Sequence, residues 1–290
     1  MRAASAVRPL ALAGALALAA AGAAPAWLAE GHRRIAVGAL GLLPESVPTF
    51  FRGGGSTVGH AAIDPDVFRA RDVPALADRE APDHFVDLEL LDGEPLAESR
   101  WAQVERLAGN GRAASRIGLL PYAVAEGAER LALCFAEHRR WPAEPAIEAK
   151  CLLYAGWLAH YAADLEQPLH TTIHHDGWAL PGGESPFTGI HRQIDALVGE
   201  TAFDSAAALD GLELRAPQDL WPAIVGELAA SHARLDGVYA LEPFLADPTQ
   251  PRTGAFACAH YRTAARFVAE LYLWAWERSA TIELPAWLER

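Results

Sequence analysis

The residues best equipped for chemistry lie in one stretch, His160-Tyr161-Ala162-Ala163-Asp164-Leu165-Glu166-Gln167-Pro168-Leu169-His170. His160 and Asp164 are four residues apart, so a helix presents both from one face. Pro168 ends such a helix and turns the chain, which lets His170 come back toward the same pocket from a loop. Two imidazoles and a carboxylate suit zinc, a borderline metal that takes nitrogen and oxygen ligands. An isolated histidine and aspartate at this spacing is usually ordinary core or surface. The longer string with its proline and second histidine is much more specific. Downstream, His191 and Asp195 repeat the one-turn spacing.

The elements that must position these groups read as helices. Gly31 to Leu43 has helical apolar spacing and stops at Pro44, and Leu119 to Arg140 carries an apolar stripe with Pro121 in its first turn. Pro145 to Leu165 is apolar nearly all round, the mark of a helix in the middle of a bundle. His160 and Asp164 therefore sit at the C-terminal end of a buried helix. The glycines and prolines between His174 and Thr188 predict a loop, with a helix resuming near Gly189. Further helices are expected over residues 217–235 and 254–278, the last with Tyr261, Phe267, Tyr272, Trp274 and Trp276 as core-facing aromatics. Arg52 to Ser56 reads as a flexible loop, residues 61–78 as short turns, and Asp83 to Leu91 as a strand or a short helix, the helix favoured because its neighbours are helical. The expected fold is all-α, a single multi-helix domain with long loops around a metal pocket.

Arg2 and Arg8, the apolar run from Leu10 to Ala24 and the Ala24-Pro25-Ala26 signal together read as a secretory signal peptide over residues 1–26, with the domain proper at 27–290. The apolar run is shorter than the ~20 residues a membrane span needs. A secreted or periplasmic monomer with no membrane span after cleavage is expected. Cleavage would expose the α-amino group of Trp27. It would also remove two arginines and no acid, taking the net charge from −13 to −15. So acidic a surface argues against a protein that coats duplex DNA. It is compatible with a small anionic substrate drawn to a local group of metal cations. Cys134, Cys151 and Cys258 lack metal-site spacing and read as buried small residues, with a Cys134–Cys151 disulfide as the alternative in an exported chain.

Candidate ligands in chain order are the Trp27 amino terminus, His32, Asp66, His84, His160, Asp164, His170, His191 and Asp195, with Asp64 and Asp72 as alternatives to Asp66. A catalytic zinc takes three protein ligands and a water, so these nine groups can serve three ions. His60, His138, His174, His175, His232 and His260 read as structural.

The Trp27…Gly31-His32 start, Asp83-His84-Phe85-Val86-Asp87, the HYAADLEQPLH string and Gly189-Ile190-His191 with Asp195 together resemble the zinc-dependent phospholipase C and single-strand-specific nuclease superfamily of bacteria, fungi and plants. The resemblance spans the mature chain. It implies three zinc ions: one on Asp66, His84, His160 and Asp164, a second on Trp27, His32 and a bridging Asp164, and a third on His170, His191 and Asp195. It favours Asp66 over its neighbours because a basic residue, Arg69, follows shortly after. It further implies a hydrolase of phosphate esters in which zinc makes water nucleophilic near neutral pH, with Asp66 and Asp164 as catalytic carboxylates. Phe85 and Asp87 match the nuclease branch and would hold a base. The expected substrate is single-stranded nucleic acid or a nucleotide, cleaved as an endonuclease or 3'-nucleotidase would. A phospholipid head group is the alternative, and a zinc-stabilised binding protein without activity is a third reading. The lysine that plant and fungal nucleases carry beyond this segment is missing, and Arg100 is the arginine that could replace it.

Overall fold

Proline and small residues set where the helices begin and how closely they pack. The computed structural model describes residues 28–180, 185–247 and 249–289; the expected signal segment and Trp27 lie outside them. In chain order the helices are α1 (Ala29–Gly41), α2 (Thr49–Arg52), α3 (Gly55–Ala61), α4 (Asp64–Phe68), α5 (Pro74–Glu80), α6 (Arg100–Gly109) and α7 (Ala114–Ile117). They continue as α8 (Leu120–Arg140), α9 (Pro145–Glu166), α10 (Ile190–Glu200), α11 (Ser205–Leu209), α12 (Leu220–His232), α13 (Leu235–Tyr239) and α14 (Pro251–Arg278). Short 3-10 turns cover Ala81–His84, Leu88–Leu91 and Pro168–Thr171. No strand is present among the described residues, so the chain is all-α as expected.

The long helix α9 occupies the centre, and α1, α3, α8 and α14 pack round it. Glu144 caps its start by accepting from Ala146 N at 3.2 Å, with Pro145 in the first turn. Cys151, Ala155, Leu158, Ala159 and Ala162 are buried along it, against Val124, Leu131 and Phe135 of α8 and Ala264, Val268 and Tyr272 of α14. Each of the larger side chains in this set, Leu158, Val124, Leu131, Phe135 and Val268, contributes roughly 1.5–3 kcal/mol once buried. The α14 aromatics Tyr261, Phe267 and Tyr272 are in this core, as their helical spacing predicted. No disulfide joins the cysteines; Cys134 and Cys151 are buried in the core as expected, whereas Cys258 is only half-buried. Among the described residues no helix is long and apolar enough to cross a membrane.

One glycine controls the approach of α3 to α9. A Cβ on Gly156 would stand 2.5 Å from Ala61 Cβ and 2.7 Å from Val58 O, so only glycine admits this contact. The contact carries the Ala62 carbonyl to within 2.8 Å of His160 Nδ1.

Three sequence expectations need correction. Residues 61–78 are not only short turns: they hold the helix α4 and most of α5, each with a proline in its first turn. Arg52 to Ser56 is not a flexible loop: α2 runs through Arg52, α3 starts at Gly55, and only Gly53 and Gly54 lie between them. Asp83 to Leu91 is not one helix. It is two 3-10 turns separated by an extended stretch in which Val86 bridges Gly118 and donates its N–H to His170 O at 2.8 Å. Helical neighbours do not impose helix on a segment whose backbone groups are taken by a distant loop.

His260 of α14 is a buried structural histidine, packed on Phe256 with ring centroids 4.0 Å apart. Burial, with Arg234 nearby, pushes its imidazole down to about 3. Above about pH 6.5 folded and unfolded chains are both neutral here; below it the unfolded chain takes up a proton that the folded chain refuses until about pH 3. Stability therefore falls as pH drops through that window. His260→Gln should flatten the slope of urea-unfolding free energy against pH, between pH ~6 and ~4, by about 1.4 kcal/mol per pH unit.

Candidate metal centre

Elements far apart in sequence deliver the proposed ligands to one buried place. His32 comes from the second turn of α1, Asp66 from α4, His84 from the end of the 3-10 turn Ala81–His84, and His160 and Asp164 from the last turns of α9. His170 comes from the 3-10 turn Pro168–Thr171, and His191 and Asp195 from α10. All are buried except Asp66, which is half-buried at the edge.

Asp164 is the hub. Its Oδ1 lies 3.4 Å from His32 Nε2, and its Oδ2 lies 3.0 Å from His84 Nδ1, 3.4 Å from His160 Nε2 and 3.9 Å from His170 Nδ1. In a second group His191 Nε2 stands 2.9 Å from His170 Nε2 and 3.2 Å from Asp195 Oδ2. The side chains form three sets able to hold a metal ion: His32, His160 and Asp164; Asp66, His84 and His160; and His170, His191 and Asp195. Within each set the ligand atoms lie within 4.8 Å of one another. Eight of the nine groups read from the sequence thus come together, and the ninth, Trp27, is outside the described residues. Asp64 is not in these sets; it accepts a hydrogen bond from Trp157 Nε1 at 3.1 Å, and Asp72 is exposed.

Backbone carbonyls fix which imidazole nitrogens face the centre. His160 Nδ1 donates to Ala62 O at 2.8 Å and His170 Nδ1 to His84 O at 2.6 Å, which leaves the Nε2 lone pair of each ring aimed inward. Partners of this kind orient metal-ligating histidines. The bond from Val86 N to His170 O returns the bond from His170 to His84 O, so the His84 and His170 segments hold one another in register.

The donor set fits a cation. Burial pushes His32, His84 and His191 well below the usual imidazole range and lowers His160 and His170, so all five rings are neutral, the form that ligates. Burial raises Asp164 to about 7 and Asp195 well above the usual carboxylate range, with Gln167 opposing the rise at Asp195. His32 Nδ1 and Nε2, His84 Nε2, Asp164 Oδ1, His191 Nδ1 and Asp195 Oδ2 are buried with no hydrogen-bond partner among the described residues. Buried polar atoms are rarely left so, and carboxylates among neutral rings lack positive charge, which divalent cations supply.

Two positioning groups escaped the sequence reading. Gln167 is fully buried; its Nε2 donates to Asp195 Oδ1 at 2.6 Å and its Oε1 accepts from Leu169 N at 2.8 Å. One amide thereby joins the end of α9, the turn bearing His170 and the α10 ligand. An amide is not a usual metal ligand, so it did not register, although it stands inside the most specific motif. Asp176 Oδ1 accepts from Gly189 N at 2.8 Å and His191 N at 3.2 Å, capping α10 from a loop thirteen residues before Gly189. No local spacing signals a cap supplied from that distance. Gln167→Ala is expected to lower metal content by about one ion through the His170, His191 and Asp195 set, a loss of roughly 10–100-fold in affinity at that set. Elemental analysis after dialysis against graded zinc reads this directly; unchanged occupancy would remove the role.

Phe85 is half-buried directly after His84, and a Cβ on Gly118, whose φ is +93°, would lie 2.0 Å from the Phe85 carbonyl oxygen. The aromatic residue is held by this close backbone approach, beside the centre but outside the ligand sets. Asp87 donates its backbone N–H to Ile117 O at 2.7 Å, and its half-buried carboxyl is raised to about 7 by burial with Glu89 nearby. Arg100 does not replace the missing lysine: it binds Asp83 at 2.5 Å and Glu126 at 2.7 Å. The histidines set aside as structural stay outside the ligand sets, with His174 accepting from Ala179 N at 3.0 Å and His232 bonded to Thr171 Oγ1 at 3.0 Å.

Comparison with known proteins adds no relative: no family model matches the chain, and no curated protein is significantly similar to it.

Proposed function

We propose that the protein is an exported zinc-dependent hydrolase of phosphate esters, of the phospholipase C and single-strand nuclease type, acting on single-stranded nucleic acid. The observation that carries this reading is the convergence of five buried histidines and two buried aspartates, with Asp66 at their edge, around the shared Asp164. His32, Asp66, His84, His160 and Asp164 would hold two zinc ions, completed by the amino group of Trp27, and His170, His191 and Asp195 the third. Bound there, zinc supplies acidified water as nucleophile and positive charge for phosphoryl oxygens.

The chain's own groups do the rest. Asp66 is the one ligand carboxylate at the edge of the centre, held by Arg69 Nη1 on its Oδ1 at 3.1 Å, and burial raises its affinity for a proton. That suits a group that orients an attacking water and takes up its proton at Oδ2. Phe85 offers a ring for a base, worth about 1–3 kcal/mol by stacking, and Asp87 lies two residues further along the same wall. Because the centre is fed by backbone carbonyls and buried rings rather than flexible side chains, it is preorganised before substrate arrives.

A second reading, phospholipid head groups, is favoured by exposed apolar side chains: Val67, next to Asp66 in α4, and Val73 and Leu76 at the start of α5 are 59%, 45% and 39% exposed. The deciding experiment is incubation of the zinc-loaded mature form with single-stranded DNA, RNA and phosphatidylcholine vesicles in parallel. Release of nucleotides without phosphorylcholine supports the nuclease; the reverse transfers the centre to phospholipid; neither product overturns the hydrolase.

A further inference from the structure

Next to the metal centre lies a separate cavity of about 350 Å³ between α4, α5, α8 and α9. The nuclease and phospholipase readings do not use it. Its walls are aromatic: Phe68 and Tyr154 meet Trp157 edge-on, with ring centroids 5.3 and 5.4 Å apart. Tyr161 closes the inner side, its ring 5.4 Å from His84 and 5.5 Å from His160, so one side chain separates the cavity from the metal ligands.

The charges lining the cavity are unevenly committed. Glu80 is engaged by Arg79 at 2.9 Å and by Tyr161 OH at 2.6 Å, and Asp83 by Arg79 at 2.8 Å and Arg100 at 2.5 Å. Glu126, the third lining carboxylate, is held by Arg100 at 2.7 Å, so the acids are spent on neighbours. Arg79 makes both of its bonds through Nη1 alone and is half exposed. Arg130 on the rim faces the Tyr154 ring at 5.8 Å and has no carboxylate partner among the described residues. What the cavity can still offer is ring surface and arginine donors, the complement of a flat aromatic body that carries an anionic group. Its volume lies at the small end of the range for small-molecule sites.

We infer that this cavity binds a nucleoside monophosphate, with its base against Phe68, Tyr154 and Trp157 and its phosphate on Arg79 and Arg130. The choice of a nucleotide among aromatic anions rests on the phosphodiesterase reading, because such an enzyme releases nucleotides at the neighbouring metal centre; the walls, Arg130 and the outward donors of Arg79 stand without it.

The test is calorimetric titration of adenosine 5'-monophosphate into the zinc-loaded wild type, the chelated wild type and zinc-loaded Arg130→Glu. Arg130 is on the surface, so its variant is expected to fold and to keep its zinc content. The expected result is binding that survives chelation within about threefold and weakens about tenfold or more in Arg130→Glu. Ribose 5-phosphate, which lacks the base, should bind at least about tenfold more weakly than the nucleotide. Binding equal in Arg130→Glu and wild type, or no heat with either, overturns the inference, and the zinc-loaded comparison decides alone if chelation unfolds the chain. Hydrolysis is measured separately: a chain that cuts DNA but fails this titration loses only the cavity, and one that binds the nucleotide here but hydrolyses nothing loses only the phosphodiesterase reading.

Discussion

Asp164→Asn should remove more than one metal ion and at least about a hundredfold of turnover while leaving the metal-free fold no less stable. Both carboxylate oxygens face imidazole nitrogens, Oδ1 toward His32 and Oδ2 toward His84 and His160, so this side chain is shared by ligands from α1, the 3-10 turn Ala81–His84 and α9. Asparagine has the same shape but no charge, and it places an NH₂ against rings whose inward nitrogens are lone pairs. Loss of a partner that only orients a ligand already costs 10–100-fold in affinity, so loss of the shared ligand should exceed that. The metal-free protein behaves oppositely, because burial has raised this carboxyl to about 7 and the charge is a burden without a cation. Elemental analysis and urea unfolding of chelated protein separate the two effects. A variant with its full metal complement, or one whose chelated form is weakened by several kcal/mol, would show that Asp164 serves the fold and not a metal.

Much of this centre was legible before any coordinates because the ligands obey local rules. His160 and Asp164, like His191 and Asp195, are a helical turn apart, and Pro168 forces the turn that returns His170. The long helices were legible for the same reason, with proline starts at Pro121 and Pro145 and apolar faces sustained over many turns. What did not read out depended on partners distant in sequence. The segment after Asp83 looked helical by its surroundings, but Val86 is drawn into an extended path by Gly118 and His170. Gln167 and Asp176 are ordinary polar residues until the fold places them on Asp195 and on the start of α10. Arg100 could be named as a replacement cation from its position alone, and only the geometry of Asp83 and Glu126 shows that it is already committed.

Chelation is expected to lower the melting temperature by more than about ten degrees, and the fate of activity then separates catalyst from metal-stabilised scaffold. The sets meet in a volume where Asp164 and Asp195 are fully buried and where both ring nitrogens of His32, Nε2 of His84 and Nδ1 of His191 have no partner among the described residues. A site held at about a thousand times its dissociation constant contributes roughly 4 kcal/mol to the folded state, and for a chain of this size 1 kcal/mol moves the midpoint by about 2–4 °C. Emptying even one strongly occupied set therefore predicts a shift of about 8–16 °C, and emptying several predicts more. Readdition of zinc should restore the midpoint and hydrolysis together if the ions are catalytic. If the midpoint recovers while neither nucleic acid nor phospholipid is ever cleaved, the cations serve folding alone and the protein is a metal-stabilised binding module. An unmoved midpoint after complete chelation would mean that the buried carboxylates find their charge balance elsewhere, and the metal centre itself would be withdrawn.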